Sequence, residues 1–115
     1  MTKRNLEILM RHWIKLLKLT DWKLTIHYAK KKEAKKTWGT CEIPVPYVKV
    51  AKITIVNPNH KSWKKSSRSP EETLVHELLH LKRPLHRDNP TTEFCINDLA
   101  NLLISLEKIA MERKQ

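Results

Sequence analysis

Ser69-Pro70-Glu71-Glu72-Thr73-Leu74-Val75-His76-Glu77-Leu78-Leu79-His80-Leu81 is the stretch on which the reading of this chain turns. Serine at the N-cap, proline at the first helical position and glutamate three residues after the serine form a capping box, so a helix is predicted to start at Ser69 or Pro70. Leu74, Leu78 and Leu81 make one apolar stripe, Val75 and Leu79 a second, and Pro84 ends the run. The remaining arc carries His76, Glu77 and His80, and the helix is predicted to be buried everywhere except on that arc.

The arc is an HExxH motif, and its spacing has a chemical meaning. Residues four apart on a helix stand on one face with Cβ atoms about 5–6 Å apart, so two imidazoles can share one metal ion. Zinc takes nitrogen at roughly 2.0–2.1 Å in a tetrahedral shell, and a catalytic site keeps one position for water. His76 and His80 therefore supply two of three expected protein ligands, and Glu77, beside the His80 edge, is placed to take a proton from a metal-activated water. The plain alternative, two histidines on a helix by chance, rarely coincides with a capped helix and a polar arc of this kind.

Two residues downstream compete for the third ligand position. Asn89-Pro90 reads as a second helix start, with Asn89 at the N-cap, which puts Glu93 in the opening turn of a helix running to about Arg113. Ile96, Leu99, Ala100, Leu103, Leu106 and Ala110 are its predicted apolar stripe. Ala100 and Ile104 lie below Glu93, and Asn97, one turn on, can orient a ligand histidine. His86 instead follows His80 by six residues, the ligand spacing of metzincin-type sites, but Arg83 stands where that pattern asks for glycine and Met111 makes no Met-turn. The reading favours Glu93. His86 would then be free to hydrogen-bond a developing oxyanion, or would be a plain loop residue.

The rest of the chain supplies a scaffold. Leu6, Leu9, Trp13, Leu16 and Leu17 give an amphipathic helix over about Lys3 to Lys18, expected behind the sheet. Trp22, Leu24, Ile26 and Tyr28 alternate with Lys23, Thr25 and His27, the period-two pattern of a half-buried strand over 22–28. A second strand is expected from about Thr37 to Ile43. Pro44 and Pro46 interrupt, and a third runs from Val48 to Val56, where the apolar phase shifts near Ala51 and suggests a bulge or burial on both faces. The fold class expected is α+β, with an N-terminal helix, a three-stranded sheet, the HExxH helix and a C-terminal helix. An extended peptide could add to an exposed sheet edge beside the HExxH helix, either strand 37–43 or strand 48–56.

Several segments together resemble a family. Asp21-Trp22-Lys23-Leu24, Trp38-Gly39-Thr40-Cys41, the strand from Val50 to Pro58, the HELLHL core from His76 to Leu81, and Glu93-Phe94-Cys95-Ile96-Asn97-Asp98-Leu99-Ala100 are similar to the small zincin-like metallopeptidases of phages and mobile elements, relatives by fold of SprT-like and ImmA/IrrE-type proteases. The resemblance implies a minimal zincin-like domain, zinc held by His76, His80 and Glu93, and Glu77 as catalytic base. It implies a reaction class and no particular substrate.

Composition bounds what else is possible. The 115 residues suit one domain, 1–115, able to bury about two-thirds of its unfolded surface. A hydrophobic content of 40% and a single glycine argue against disorder and collagen-like repeats. No apolar run approaches a membrane span and no signal-peptide core is visible, so a cytoplasmic monomer acting on a protein or peptide, without a membrane partner, is expected. Cys41 and Cys95 are too few for a disulfide scaffold and are expected as buried thiols. The formal net charge of +11 is concentrated in Lys30–Lys36 and Lys61–Arg68. Both stretches are expected as loops that attract DNA or RNA, with Trp63 able to stack on an unpaired base. Solvated lysine surface is the plain reading of the same residues. Two functions follow: a zinc-dependent peptidase, or a basic nucleic-acid-binding module whose metal site is structural or vestigial.

Overall fold

A computed structural model describes residues 1–30, 38–43, 48–66, 68–82 and 90–113, with the side chains of residues 90–94 outside that description. It is a small α+β domain. Helix α1 spans Lys3–Leu16, strands β1, β2 and β3 span Lys23–Ala29, Gly39–Glu42 and Val50–Val56, a 3-10 helix spans Lys61–Lys65, and helices α2 and α3 span Pro70–His80 and Pro90–Arg113. The Lys31–Lys36 stretch, Pro44, Pro46, His86 and Asn89 lie outside the described residues.

Helix α1 starts where the Thr2 hydroxyl accepts from the Asn5 amide at 3.1 Å. It stops two residues short of the predicted end because Lys18 adopts a positive φ of 56°. Leu19 N–H then donates to Ile14 O and Lys18 N–H to Lys15 O, the paired bonds of a Schellman cap, and Leu19 enters the core.

The sheet order is β1-β3-β2, with β3 parallel to β1 and antiparallel to β2. Of the two strands considered as the free edge, the second is therefore an edge among the described residues and the third is central. No bulge interrupts β3, whose register with β1 is continuous from Lys23↔Val50 to Ala29↔Val56. The phase shift near Ala51 instead reflects exposure at the strand's start: Val48 and Val50, which set the earlier phase, are exposed, and Ala51, Ile53 and Ile55 take the buried face. Leu24, Ile26 and Tyr28 pair with Ala51, Ile53 and Ile55, and Cys41 with Ile53, so one face of the sheet is apolar. The other exposes Lys23, Thr25, His27 and Lys52.

The helices cover the apolar face. Helix α2 packs on β2, β3, α1 and α3, and α1 lies on the same side as α2, not behind the sheet. Trp13 Nε1 donates to Glu71 Oε2 at 2.9 Å, and the Tyr28 hydroxyl donates to Glu7 Oε1 at 3.0 Å. Fully buried Leu6, Leu19, Ile53, Ile55, Leu74 and Leu78 form the centre of the core. Each such side chain contributes about 1.5–3 kcal/mol through burial.

On α3 the inward stripe is Ile96, Ala100 and Ile104 with Leu103 at its margin, while Leu99, Leu106 and Ala110, expected in that stripe, face solvent. Among the described residues, no helix is long and apolar enough to cross a membrane.

Candidate metal centre

The predicted start of α2 is realised: Ser69 Oγ accepts from the Glu72 amide at 3.1 Å and Pro70 occupies the first turn. From that anchor every residue between Thr73 and His80 is buried. The polar arc is no exception, contrary to the expectation of an open side. His76, Glu77 and His80 are only 6%, 6% and 5% exposed. Three ionisable side chains kept out of water on adjacent turns require close mutual or external compensation.

Their geometry supplies a form of it. The His76 Nδ1–H donates to Asn97 Oδ1 at 2.7 Å, a bond across to α3 that sets the tautomer and turns the Nε2 lone pair toward His80. The two Nε2 atoms stand 3.2 Å apart, with the rings edge to face at 72°. Two ligands at 2.0–2.1 Å from one tetrahedral ion are about 3.3 Å from each other, so the histidine pair has the edge length that zinc requires. Glu77 Oε1 lies 4.0 Å from His76 Nε2, and one donor atom from each of the three residues falls within 4.8 Å of the others. The donor set of two imidazoles and a carboxylate suits zinc over harder cations.

Sequence reasoning placed Gly39 in a strand but gave it no part in the site. It is the chain's single glycine, and it sits where β2 crosses α2. A Cβ at this position would lie 2.7 Å from Thr73 Cγ2 and 3.6 Å from Glu77 Cγ. The edge strand therefore reaches the site only because position 39 has no side chain. Thr73, one turn before Glu77, was also missed. Its Oγ1 is buried and has no hydrogen-bond partner among the described residues. A lone glycine beside predicted strand residues was the available signal for the first; nothing in the sequence marked the second.

Helices α2 and α3 run antiparallel. Glu71 at the start of α2 lines a groove of about 600 Å³ with Ile104 and Glu107, while five residues later His76 meets Asn97. Glu93 belongs to the α3 turn preceding Asn97, but its side chain, like all of His86, lies outside the described residues. Cys41 is buried as expected, whereas Cys95 is exposed because it lies on the outer side of α3.

The second basic stretch departs from expectation too. Lys61, Lys64 and Lys65 are exposed on the 3-10 helix, but Trp63 points inward. Its ring stacks on Trp38 at 4.3 Å between centroids, and its Nε1 donates to Asn57 O at 3.0 Å. The indole expected to be open to a base is a core residue that ties the 3-10 helix to Trp38, the residue just before β2.

Comparison with protein families, curated proteins and solved structures gives no match to this chain.

Proposed function

We propose that this chain is a zinc-dependent peptidase whose metal is held by His76, His80 and Glu93 and whose general base is Glu77. The observation that carries the reading is the pair of Nε2 atoms 3.2 Å apart, with Asn97 behind one ring and Glu77 beside both. Zinc bound there would polarise a peptide carbonyl and lower the pKa of water at the site.

The chain's own residues do the rest. Asn97 holds His76 in the ligating tautomer, the role of an outer hydrogen-bond partner. Glu77 accepts a proton from the attacking water and passes it to the departing amine. Burial of all three side chains makes their electrostatic effect larger than it would be in water. Strand β2 is an edge, and Gly39 brings its backbone against α2 at Glu77, so an extended substrate pairing with β2 would lie beside the base.

The antiparallel course of α2 and α3 supports Glu93 over His86. Glu71 shares a groove with Ile104 and Glu107, and His76 bonds Asn97, a progression that runs toward the turn containing Glu93 as α2 runs toward His80. Glu77 is the base and not a fourth protein ligand on this reading, because a structural zinc site is closed by four protein ligands and has no use for a base. Exposed Lys61, Lys64 and Lys65 leave a basic surface that would bring polyanions near the enzyme, an accessory to hydrolysis.

The test is cleavage of a proteome-derived peptide library by zinc-loaded protein, read by mass spectrometry. Wild type should cut, and Glu77→Gln should bind zinc equally but cut at least a hundredfold more slowly. Equal cleavage by both proteins, or none by fully zinc-loaded wild type, would remove the proposal.

A further inference from the structure

Among the described residues the buried polar side chains are Thr73, His76, Glu77 and His80, and all belong to α2. Their sequence positions put them on one stripe of the helix, so the polar arc of the HExxH motif continues a turn further toward the N-terminus. His76, Glu77 and His80 have a place in the proposed site. Thr73 has none, and its buried neighbours Leu74, Val75, Leu78 and Leu79 are apolar.

Packing does not explain a threonine here. Valine has the same branched shape, whereas the hydroxyl adds a polar group to a residue that is 2% exposed, and that group has no hydrogen-bond partner among the described residues. The usual outlet for a helical threonine is the carbonyl four residues back. That carbonyl, Ser69 O, takes the Thr73 amide at 3.1 Å, and the hydroxyl makes no bond to it. A buried donor left unsatisfied in a native fold calls for a functional partner.

Glu77 is the group within reach. It stands one turn beyond Thr73, and helical side chains tilt toward the N-terminus, which lays the Glu77 side chain over Thr73. Strand β2 closes on both: Thr73 Cγ2 and Glu77 Cγ lie 2.7 and 3.6 Å from one point, the position a Cβ on Gly39 would take. We infer, on the peptidase reading proposed above, that Thr73 is a positioning residue for the base. Its hydroxyl donates to the Glu77 carboxylate in the substrate complex and fixes the rotamer from which the base works. Hydrogen bonds around a catalytic group are often long or misaligned in the resting protein and close only when substrate is bound, which accounts for a hydroxyl that is unpaired at rest. The arrangement trades stability of the resting fold for turnover.

Two variants separate the hydroxyl from the side chain's shape. Thr73→Val keeps the branch and removes the donor; Thr73→Ser keeps the donor and removes the methyl group. On a fluorogenic peptide built from a cleavage site found in the peptide library, Thr73→Val should lose about ten- to a hundredfold in kcat, the range for a misplaced reacting group, with KM within about twofold of wild type. Thr73→Ser should keep a kcat within about threefold of wild type. Acetohydroxamic acid gives up its hydroxyl proton to a base as it chelates, so its affinity reads the placement of Glu77 without turnover. Calorimetry should show it bound about tenfold more weakly by zinc-loaded Thr73→Val than by wild type or Thr73→Ser. Zinc content should be equal in all three proteins, and the urea midpoint of Thr73→Val should be no lower than that of wild type.

Unchanged kcat or unchanged hydroxamate affinity in Thr73→Val would overturn the inference, as would a Thr73→Ser as slow as Thr73→Val. Losses that come with lost zinc or a lowered urea midpoint would make Thr73 merely structural and overturn it too. Each of these outcomes leaves the peptidase reading standing, whereas zinc-loaded wild type that cuts no peptide removes that reading and the role of Thr73 together.

Discussion

His76 and Asn97 are joined at 2.7 Å, Nδ1 to Oδ1, across the contact between α2 and α3. This bond fixes the ring that a metal would meet and couples the HExxH helix to the C-terminal helix. Asn97→Leu keeps the side chain's bulk but removes the acceptor. Zinc affinity, read by competition with a chromogenic chelator, should fall about 10- to 100-fold, while Asn97→Asp should retain it. Unchanged affinity in Asn97→Leu would separate this bond from metal binding.

Gly39 makes a steric prediction. Its φ is not positive, so the demand for glycine comes from space alone. Alanine would place Cβ 2.7 Å from Thr73 Cγ2, closer than carbon atoms pack, and β2 or α2 would have to move. Gly39→Ala should lower the urea unfolding free energy by about 1–3 kcal/mol, the range for overpacking a close contact. A loss of the proposed peptidase activity larger than the loss of folded protein is also expected, because the shift falls beside Glu77.

Thr73 gives the opposite sign. Its hydroxyl is buried without a hydrogen-bond partner among the described residues, a cost of about 1–3 kcal/mol relative to a satisfied group. Thr73→Val removes the hydroxyl and should raise the unfolding free energy by about 1 kcal/mol. A clear destabilisation would mean that the hydroxyl is paired in the folded protein.

Tyr28 sets an alkaline limit. Burial, aided by its hydrogen bond to the Glu7 carboxylate, pushes its phenol from 10.0 up to about 12. The folded state therefore holds this proton more tightly than the unfolded chain. The contribution to stability is complete below pH 10 and is lost as pH rises from 10 through about 12. In Tyr28→Phe that part of the alkaline decline should disappear, measured by denaturant midpoints across the same range.

What the sequence disclosed was mainly local. The α2 start depends on Ser69, Pro70 and Glu72, which act within one turn, and it was readable from those three residues. The pairing of Asn97 with a histidine of α2 was readable too, because the helical period places it one turn from Glu93. The position of β3 in the middle of the sheet was not readable, since its apolar run fits an edge or a centre until its neighbours are known. Trp63 was misread for a related reason: lysines on either side suggested solvent, but Trp38, 25 residues earlier, supplies the surface that buries it. Leu99 and Leu106 show the limit of a wheel. Helix α3 has apolar residues on two sides, and periodicity alone could not say which side the core would take. The closeness of Gly39 to Thr73 and Glu77 exists only in the assembled fold.

The account stands on one divalent ion held between α2 and α3, and its most direct test is the metal content of the purified, zinc-dialysed protein and its variants. Wild type, Glu77→Gln and His86→Ala should each carry about one zinc per chain, the stoichiometry of a single tetrahedral site, while His76→Ala and Glu93→Ala should carry essentially none. Wild-type protein that remains folded and binds no zinc would contradict the account. Loss of zinc from His86→Ala but not from Glu93→Ala would contradict its assignment of the third ligand.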